Sequence, residues 1–158
     1  MSLKAKNKLA IILSIVIISY LGIVACGPQK SAEVPDYAPK REMSVKEKQY
    51  YREGQKLYTM YCANCHQEDG SGLGKLIPPL AGSDYMEENF SESICGIKNG
   101  FKGEMRVNGI IYNQAMPSNP NLKNLDIAMI ATYIYNSWGN DRGLIDVLEV
   151  EDIMRDCP

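Results

Sequence analysis

The sequence predicts an all-α domain built from at least three helices, and three segments support this prediction. Residues 45–60 follow a capping box and have apolar side chains at helical spacing. Residues 91–99 form a shorter helical pattern that ends at a glycine. Residues 124–138 carry isoleucines three and four positions apart. A chain of 158 residues is long enough for one such domain but too short for two of ordinary size.

The first 25 residues have the features of a secretion signal. Three lysines precede an apolar run at positions 9–25, and the segment contains no acidic residue. The sequence Ile-Val-Ala-Cys-Gly at 23–27 resembles a bacterial lipobox, which implies cleavage before Cys26 and lipid on its sulfur. The alternative is an uncleaved membrane helix, although the run is short for a hydrocarbon core of about 30 Å. Both interpretations place the remainder of the chain outside the cytoplasm.

The composition after the signal predicts an acidic domain on a tether. Prolines among charged and small residues, without an apolar period, predict a flexible tether at 26–43. The domain then covers 44–158, with a core at about 46–140 and an acidic extension at 141–158. Three of the 17 basic residues lie in the signal, so the 19 acidic residues dominate the exported part. This charge balance excludes nucleic acid as a partner.

The first predicted helix begins after the capping residue Ser44 and ends near Met60. Gly54, Leu57 and Tyr58 lie on one of its faces, because they are three and four positions apart. This face is the part of the helix that we expect to contact the rest of the domain.

Loops and a hairpin are predicted between the helices. Glycines and two prolines indicate a loop over residues 69–79. The dipeptide Asn108-Gly109, flanked by apolar residues, predicts a small irregular hairpin. The last helix has an apolar stripe, which consists of Ile127, Ile130, Ala131 and Ile134.

The motif Cys62-Ala63-Asn64-Cys65-His66 predicts covalent attachment of one haem c. Two thiols one helical turn apart can add to the two vinyl groups at one porphyrin edge, and the adjacent histidine then becomes an axial ligand of the iron. A zinc site is the weaker alternative, because it needs two further ligands at suitable spacing. A thioredoxin-like pair is also weaker, since such pairs begin a helix after a strand.

The sixth iron ligand is predicted to be a methionine, because His66 is the only histidine. Met116 lies in an irregular stretch before the last helix, and Pro117 stiffens the segment that presents its sulfur. Met105 and Met86 are the alternatives, in that order.

These residues together resemble the class I c-type cytochromes, as a monohaem, lipid-anchored bacterial member. The resemblance covers about 46–140 and implies a haem wrapped by three or more helices. It implies that Gly54 and Tyr58 contact the last helix and that the carbonyl of Pro78, or of neighbouring Pro79, accepts a hydrogen bond from His66. It also implies that Met116 is the axial methionine.

Two cysteines remain after lipid and haem are assigned, namely Cys95 and Cys157. In an exported protein we expect them to form a disulfide that joins the tail to the middle helix. Two unpaired thiols are the alternative.

The resemblance implies electron transfer rather than enzymatic activity. We expect redox proteins as partners, with a quinol-oxidising complex as donor and a terminal oxidase or reductase as acceptor, and a membrane-anchored position on the periplasmic side of the cell envelope. The alternatives are a fixed haem subunit of an oxidase or reductase complex, and a peroxidase or ligand-binding protein if Met116 does not stay bound. Candidate donors to the haem propionates are Lys75, Arg106, Tyr112 and Trp138.

Overall fold

The computed structural model describes residues 38–158, and within them it contains six helices and one hairpin. In chain order these are α1 (Val45–Tyr61), α2 (Ala63–His66), α3 (Asp84–Glu88), α4 (Phe90–Asn99), β1 (Met105–Val107), β2 (Ile110–Tyr112), α5 (Asn124–Ile134) and α6 (Val147–Arg155). The predicted all-α class is confirmed, with a small antiparallel hairpin at the predicted position. The predicted signal, Cys26 and most of the predicted tether lie outside the described residues.

Helices α1 and α5 cross in close contact, and Gly54 makes this crossing possible. A Cβ at Gly54 would collide with the carbonyl of Met129 on α5. Around the crossing, the ring of Tyr133 packs against Tyr58 and Tyr51, with centroids 5.2 and 5.1 Å apart. All three rings are about 1% exposed. The contact that the resemblance implied for Gly54 and Tyr58 is therefore present.

Helix α4 ends at Gly100, as predicted from the sequence, and the backbone of the Met116 segment packs against this glycine. Gly100 has a φ of +75°, which favours glycine. A Cβ at this position would collide with the carbonyl of Met116. The next residue, Phe101, exchanges two backbone hydrogen bonds with Met116, at 3.1 and 3.0 Å. The end of α4 thus holds the Met116 segment in place.

Helix α3 was not predicted, because its five residues are too few to show a period. Ser83 caps it by accepting a hydrogen bond from the backbone N–H of Met86 at 3.3 Å. The cap buries Met86, which is 6% exposed.

The acidic extension at 141–158 contains a helix that was not predicted from the sequence. Asp146 caps α6 by accepting from the N–H of Leu148 at 3.1 Å. Ile145 and Val150 are fully buried in the main core. The structure pairs Cys95 on α4 with Cys157 just after α6, the pairing that the sequence predicts, with Cα atoms 5.6 Å apart. The extension is therefore part of the domain.

The last residues of the predicted tether also pack on the domain. Met43 is 9% exposed and belongs to the core. Arg41 forms ion pairs with Glu47 and Asp141, and it donates to the amide oxygen of Asn136 at 2.8 Å. The pairing has a physical reason, since Glu47 is 5% exposed and a buried carboxylate needs a partner. From position 41 onwards the chain is thus ordered by contacts that its composition did not reveal.

Candidate functional site

The site is built around a tight turn between α1 and α2. The backbone N–H of Cys62 donates to the carbonyl of Tyr58 at 2.8 Å, which completes α1. The carbonyl of Cys62 accepts from the backbone N–H of His66 at 2.9 Å. Cys62 and Cys65 carry free thiols, of which Cys65 is exposed. The turn therefore presents two thiols and an imidazole within five consecutive residues.

The environment of Cys62 does not suit a thiol–disulfide oxidoreductase. Burial, with a smaller effect of neighbouring Cys65, raises the pKa of the Cys62 thiol to about 12. Redox-active pairs need a depressed thiol pKa to supply a thiolate. The rival interpretation of the motif as a redox pair is thus disfavoured.

The ring of His66 is oriented by Pro78. Its Nδ1 lies 3.1 Å from the carbonyl oxygen of Pro78, which can only accept, so Nδ1 carries the proton. Burial lowers the pKa of His66, and the Pro78 bond acts in the opposite direction. A neutral imidazole with its proton on Nδ1 leaves the lone pair of Nε2 available for a metal. Pro78, rather than the neighbouring Pro79, supplies the carbonyl.

The loop that carries Pro78 depends on Gly72. Gly72 has a φ of +69°, and a Cβ there would collide with the carbonyl oxygens of Ile77 and Pro78. Its N–H donates to the carbonyl of His66 at 3.0 Å, and Leu73 bonds to Ile77 at 3.0 Å. The loop therefore folds back on itself, which places Pro78 beside the histidine ring.

One cavity of about 440 Å³ brings the predicted site residues together. Cys62, Cys65, His66, Pro78 and Met116 all line it. Among the described residues that line this cavity, none is an aspartate, glutamate, lysine or arginine. The remaining lining is largely apolar and includes Tyr58, Ile97, Phe101, Val107, Ile130 and Ile134.

Three methionines face this cavity, and Met116 is one of them. Met86 and Met105, the two alternatives from the sequence, also line it. The backbone of Met116 is fixed by its two bonds to Phe101, and Pro117 follows it in the lining. All three sulfurs are thus candidates for the sixth ligand by position.

The residues present fit a covalently bound haem. The two thiols, the neutral histidine and a methionine share one mostly apolar cavity. The cavity also receives Ser93, whose buried hydroxyl has no hydrogen-bond partner within the described residues. An unpaired buried hydroxyl is a feature expected where a polar group of a bound molecule belongs.

None of the four candidate propionate donors lines the cavity, and their role stays a prediction. Trp138 donates to the carbonyl of Glu68 at 3.2 Å, and Arg106 donates to Gly109 at 3.2 Å. The polar residue that sequence reasoning missed is Ser93. Its only signal is a serine at the start of the apolar residues of α4, where it resembles any small residue at a packed position.

Zinc binding finds no support in the described residues. Between 38 and 158, no group of three or more histidine, cysteine or acidic side chains could hold a metal ion. Cys95 and Cys157, the two further cysteines there, are joined to each other.

Among residues 38–158, no helix is both long and apolar enough to cross a bilayer.

Comparison with known proteins agrees with this geometry. The family model for cytochrome c matches residues 51–138. Cytochrome c-552 of Thermus thermophilus is 34% identical over 94 residues, which are 56% of this chain and 70% of the relative. The cytochrome c subunit of alcohol dehydrogenase (quinone) from Gluconobacter oxydans is 27% identical over 103 residues. That match covers 63% of this chain but only 21% of the subunit.

Proposed function

The chain belongs to the cytochrome c family, whose members carry covalently bound haem c, and from this premise we propose that it carries single electrons on one haem held by Cys62 and Cys65. We further propose His66 and Met116 as the axial ligands. The observation that carries the proposal is the shared cavity, in which the thiols, the Pro78-oriented His66 and Met116 meet. Bound haem c supplies a one-electron iron couple.

The side chains of this cavity favour electron transfer over substrate chemistry. Pro78 fixes the histidine ring and increases its donor strength through Nδ1. The sulfur of Met116 is a soft ligand that favours the reduced iron and raises the reduction potential. Since no charged side chain lines the described cavity, no acid–base pair is available there for peroxide chemistry. The peroxidase alternative would therefore require Met116 to leave the iron.

The ligand set is tested by visible spectroscopy of the protein matured with haem. We expect a covalent haem by the pyridine haemochrome assay, and the weak long-wavelength band of the oxidised form that reports an iron–thioether bond. Met116→Ala should abolish this band and lower the reduction potential, while Met105→Leu and Met86→Leu should keep it. Loss of the band in Met105→Leu or Met86→Leu alone would assign the sixth ligand to that methionine instead. A wild-type spectrum that lacks the band and is unaltered in Met116→Ala would favour the ligand-binding alternative.

We propose a membrane-anchored position in the cell envelope, with lipid on Cys26. The lipobox-like residues 23–27 support it, and export agrees with the family, whose haem is attached outside the cytoplasm. On this proposal, mass spectrometry of the membrane-bound holoprotein finds a chain that begins at Cys26 and carries lipid. A chain that retains residues 1–25 would indicate an uncleaved helix instead.

The proposed partners are redox proteins of the same membrane, a quinol-oxidising complex as donor and a terminal oxidase or reductase as acceptor. A second candidate is a fixed haem subunit of a larger redox complex. It is favoured by the similarity to the cytochrome c subunit of alcohol dehydrogenase (quinone). Purification in mild detergent separates the two, because a fixed subunit elutes with stoichiometric partners and a mobile carrier elutes alone.

A further inference from the structure

A hydroxyl on the wall of the haem cavity lacks a hydrogen-bond partner among residues 38–158. Ser93 lies on α4, is 9% exposed, and lines the cavity together with Ile97 one turn later. Its Oγ is the one buried side-chain oxygen or nitrogen among the described residues that makes no hydrogen bond. Burying a hydroxyl without a partner costs free energy, so native structures rarely retain one.

The competing partner inside the protein is Tyr135. Burial raises the pKa of Tyr135 to about 12, and the Ser93 hydroxyl, which lies near the phenol oxygen, acts in the opposite direction. The phenol donates its own proton to the carbonyl of Met86, at 2.8 Å. Tyr135 therefore has no proton for Ser93, and although the phenol oxygen could accept one, the two hydroxyls do not meet hydrogen-bond geometry.

The haem itself brings two carboxylates, which are further acceptors for the serine hydroxyl. Its carboxylates are strong acceptors, whereas a thioether sulfur is a weak one. No lysine or arginine lines the described cavity, so a carboxylate that enters it depends on neutral donors. We propose that the Ser93 hydroxyl donates a hydrogen bond to a haem propionate and thereby sets the reduction potential. This inference rests on the proposed haem attachment but not on the choice of Met116 as a ligand.

The sign of the effect follows from electrostatics. A carboxylate near the iron favours the oxidised state, and a hydrogen bond that disperses its charge raises the reduction potential. The same bond stabilises the ionised carboxylate and lowers its pKa. Loss of the donor should therefore lower the potential where the propionate is ionised, and it should move the pH-dependent step of the potential to higher pH.

Other titratable groups near Ser93 must be separated from the propionate. Tyr85 on α3 and Tyr135 both have their pKa raised to about 12, mainly by burial, so neither titrates near neutral pH. Charged groups interact with these two phenols from α3, α4 and the segment after α5, namely Glu87, Glu92 and Arg142. Of these, Glu92 is adjacent to Ser93, so Glu92→Gln is the necessary control.

The experiment compares wild type, Ser93→Ala and Ser93→Thr as holoproteins, by potentiometric titration from acidic to alkaline pH. We expect Ser93→Ala to lower the midpoint potential and raise the pH of its step, Ser93→Thr to restore both, and Glu92→Gln to leave the Ser93 effect in place. Pyridine haemochrome and thermal melts check haem content and folding. Absence of covalent haem would reject the proposed function itself and is thereby distinguishable from failure of the Ser93 inference.

Three results would overturn the inference. The first is a potential and pH profile in Ser93→Ala equal to those of wild type. The second is loss of the Ser93→Ala effect in a Tyr135→Phe background, which would show that the serine serves the phenol. The third is a shift of the long-wavelength thioether band without any change in the pH profile, which would make the methionine sulfur the acceptor.

Discussion

A missing side chain at Gly54 determines how closely the two main helices approach. The position faces the backbone of Met129, and a methyl group there would meet a carbonyl that cannot rotate away. The helix separation also affects the cavity, because Tyr58 on α1 and Ile130 on α5 both line it. Gly54 thus sets cavity geometry without contacting the cavity.

Gly54→Ala is expected to destabilise the holoprotein by about 1–3 kcal/mol. Overpacking against the Met129 backbone outweighs the roughly 1 kcal/mol of helix propensity that alanine gains. Urea unfolding followed by far-ultraviolet circular dichroism measures the change. Gln49→Ala, at an exposed position of the same helix, is the matched control and should stay within about 0.5 kcal/mol of wild type. Equal stability of both variants would contradict the close crossing.

At the scale of elements, α6 acts as a clasp on α4. Its buried residue Val150 and the preceding Ile145 join the main core, and the disulfide fixes Cys157 to Cys95. Cys95 lies two positions after Ser93 on the same helix. Helix α6 therefore supports α4, the helix whose Ser93 lines the cavity.

Removing the disulfide should cost up to about 4 kcal/mol, because it closes a loop with a sequence separation of 62. Cys157→Ser, Cys95→Ser and the double variant should lose similar stability in urea unfolding, since each removes the same bond. Thiol titration of unfolded wild type shows whether the bond is present. Wild-type stability in all three variants would refute the clasp, whereas an intact visible spectrum is compatible with it.

Local chemistry could be predicted from the sequence, whereas tertiary partnerships could be predicted only where a family motif or the cysteine count indicated them. The haem motif, the cap at Ser44 and the stop at Gly100 depend on neighbours within a few residues, so their residue types identify them. The partner of Glu47 is Arg41 in the supposed tether, and that choice depends on burial, which no short pattern encodes. Ser93 was missed for the same reason. Whether a serine acts as a hydrogen-bond donor or only fills a small space depends on its tertiary surroundings.

Helix α6 is a second element that was not predicted from the sequence. Apolar residues recur at helical spacing at Val147, Val150 and Met154, but the acidic composition of the segment led to the prediction of a tail. The contacts that hold it come from Cys95 and from the core far away in sequence.

At the scale of the whole molecule, the charge at the cavity entrance differs from the charge of the chain. The cavity entrance consists of the exposed lining residues, none of which is charged, namely Asn64, Cys65, Leu73, Leu76, Gln114, Ala115 and Pro117. The chain as a whole is slightly acidic, with a formal net charge of −2. Electron exchange through this entrance should therefore respond to charges placed locally more than to net charge.

Leu76→Lys is expected to speed oxidation of the reduced holoprotein by anionic ferricyanide about threefold to tenfold at low salt, and Leu76→Glu to slow it similarly. Leu76 is 52% exposed at the cavity entrance, so the new charge acts on the reagent in solvent. The matched controls are Leu148→Lys and Leu148→Glu, because Leu148 is 66% exposed on α6 and does not line the cavity. Stopped-flow absorbance measures the rates, and midpoint potentials correct for any change in driving force.

Salt dependence decides how this result is interpreted. If electrons leave through the cavity entrance, the Leu76 effects fade as ionic strength rises toward about 0.15 M, where the screening length falls to about 8 Å. The Leu148 variants have the same net charge as their Leu76 counterparts and should match wild type throughout. Equal effects at both positions would mean that net charge governs the encounter, and the uncharged entrance would then have no special part in electron exchange.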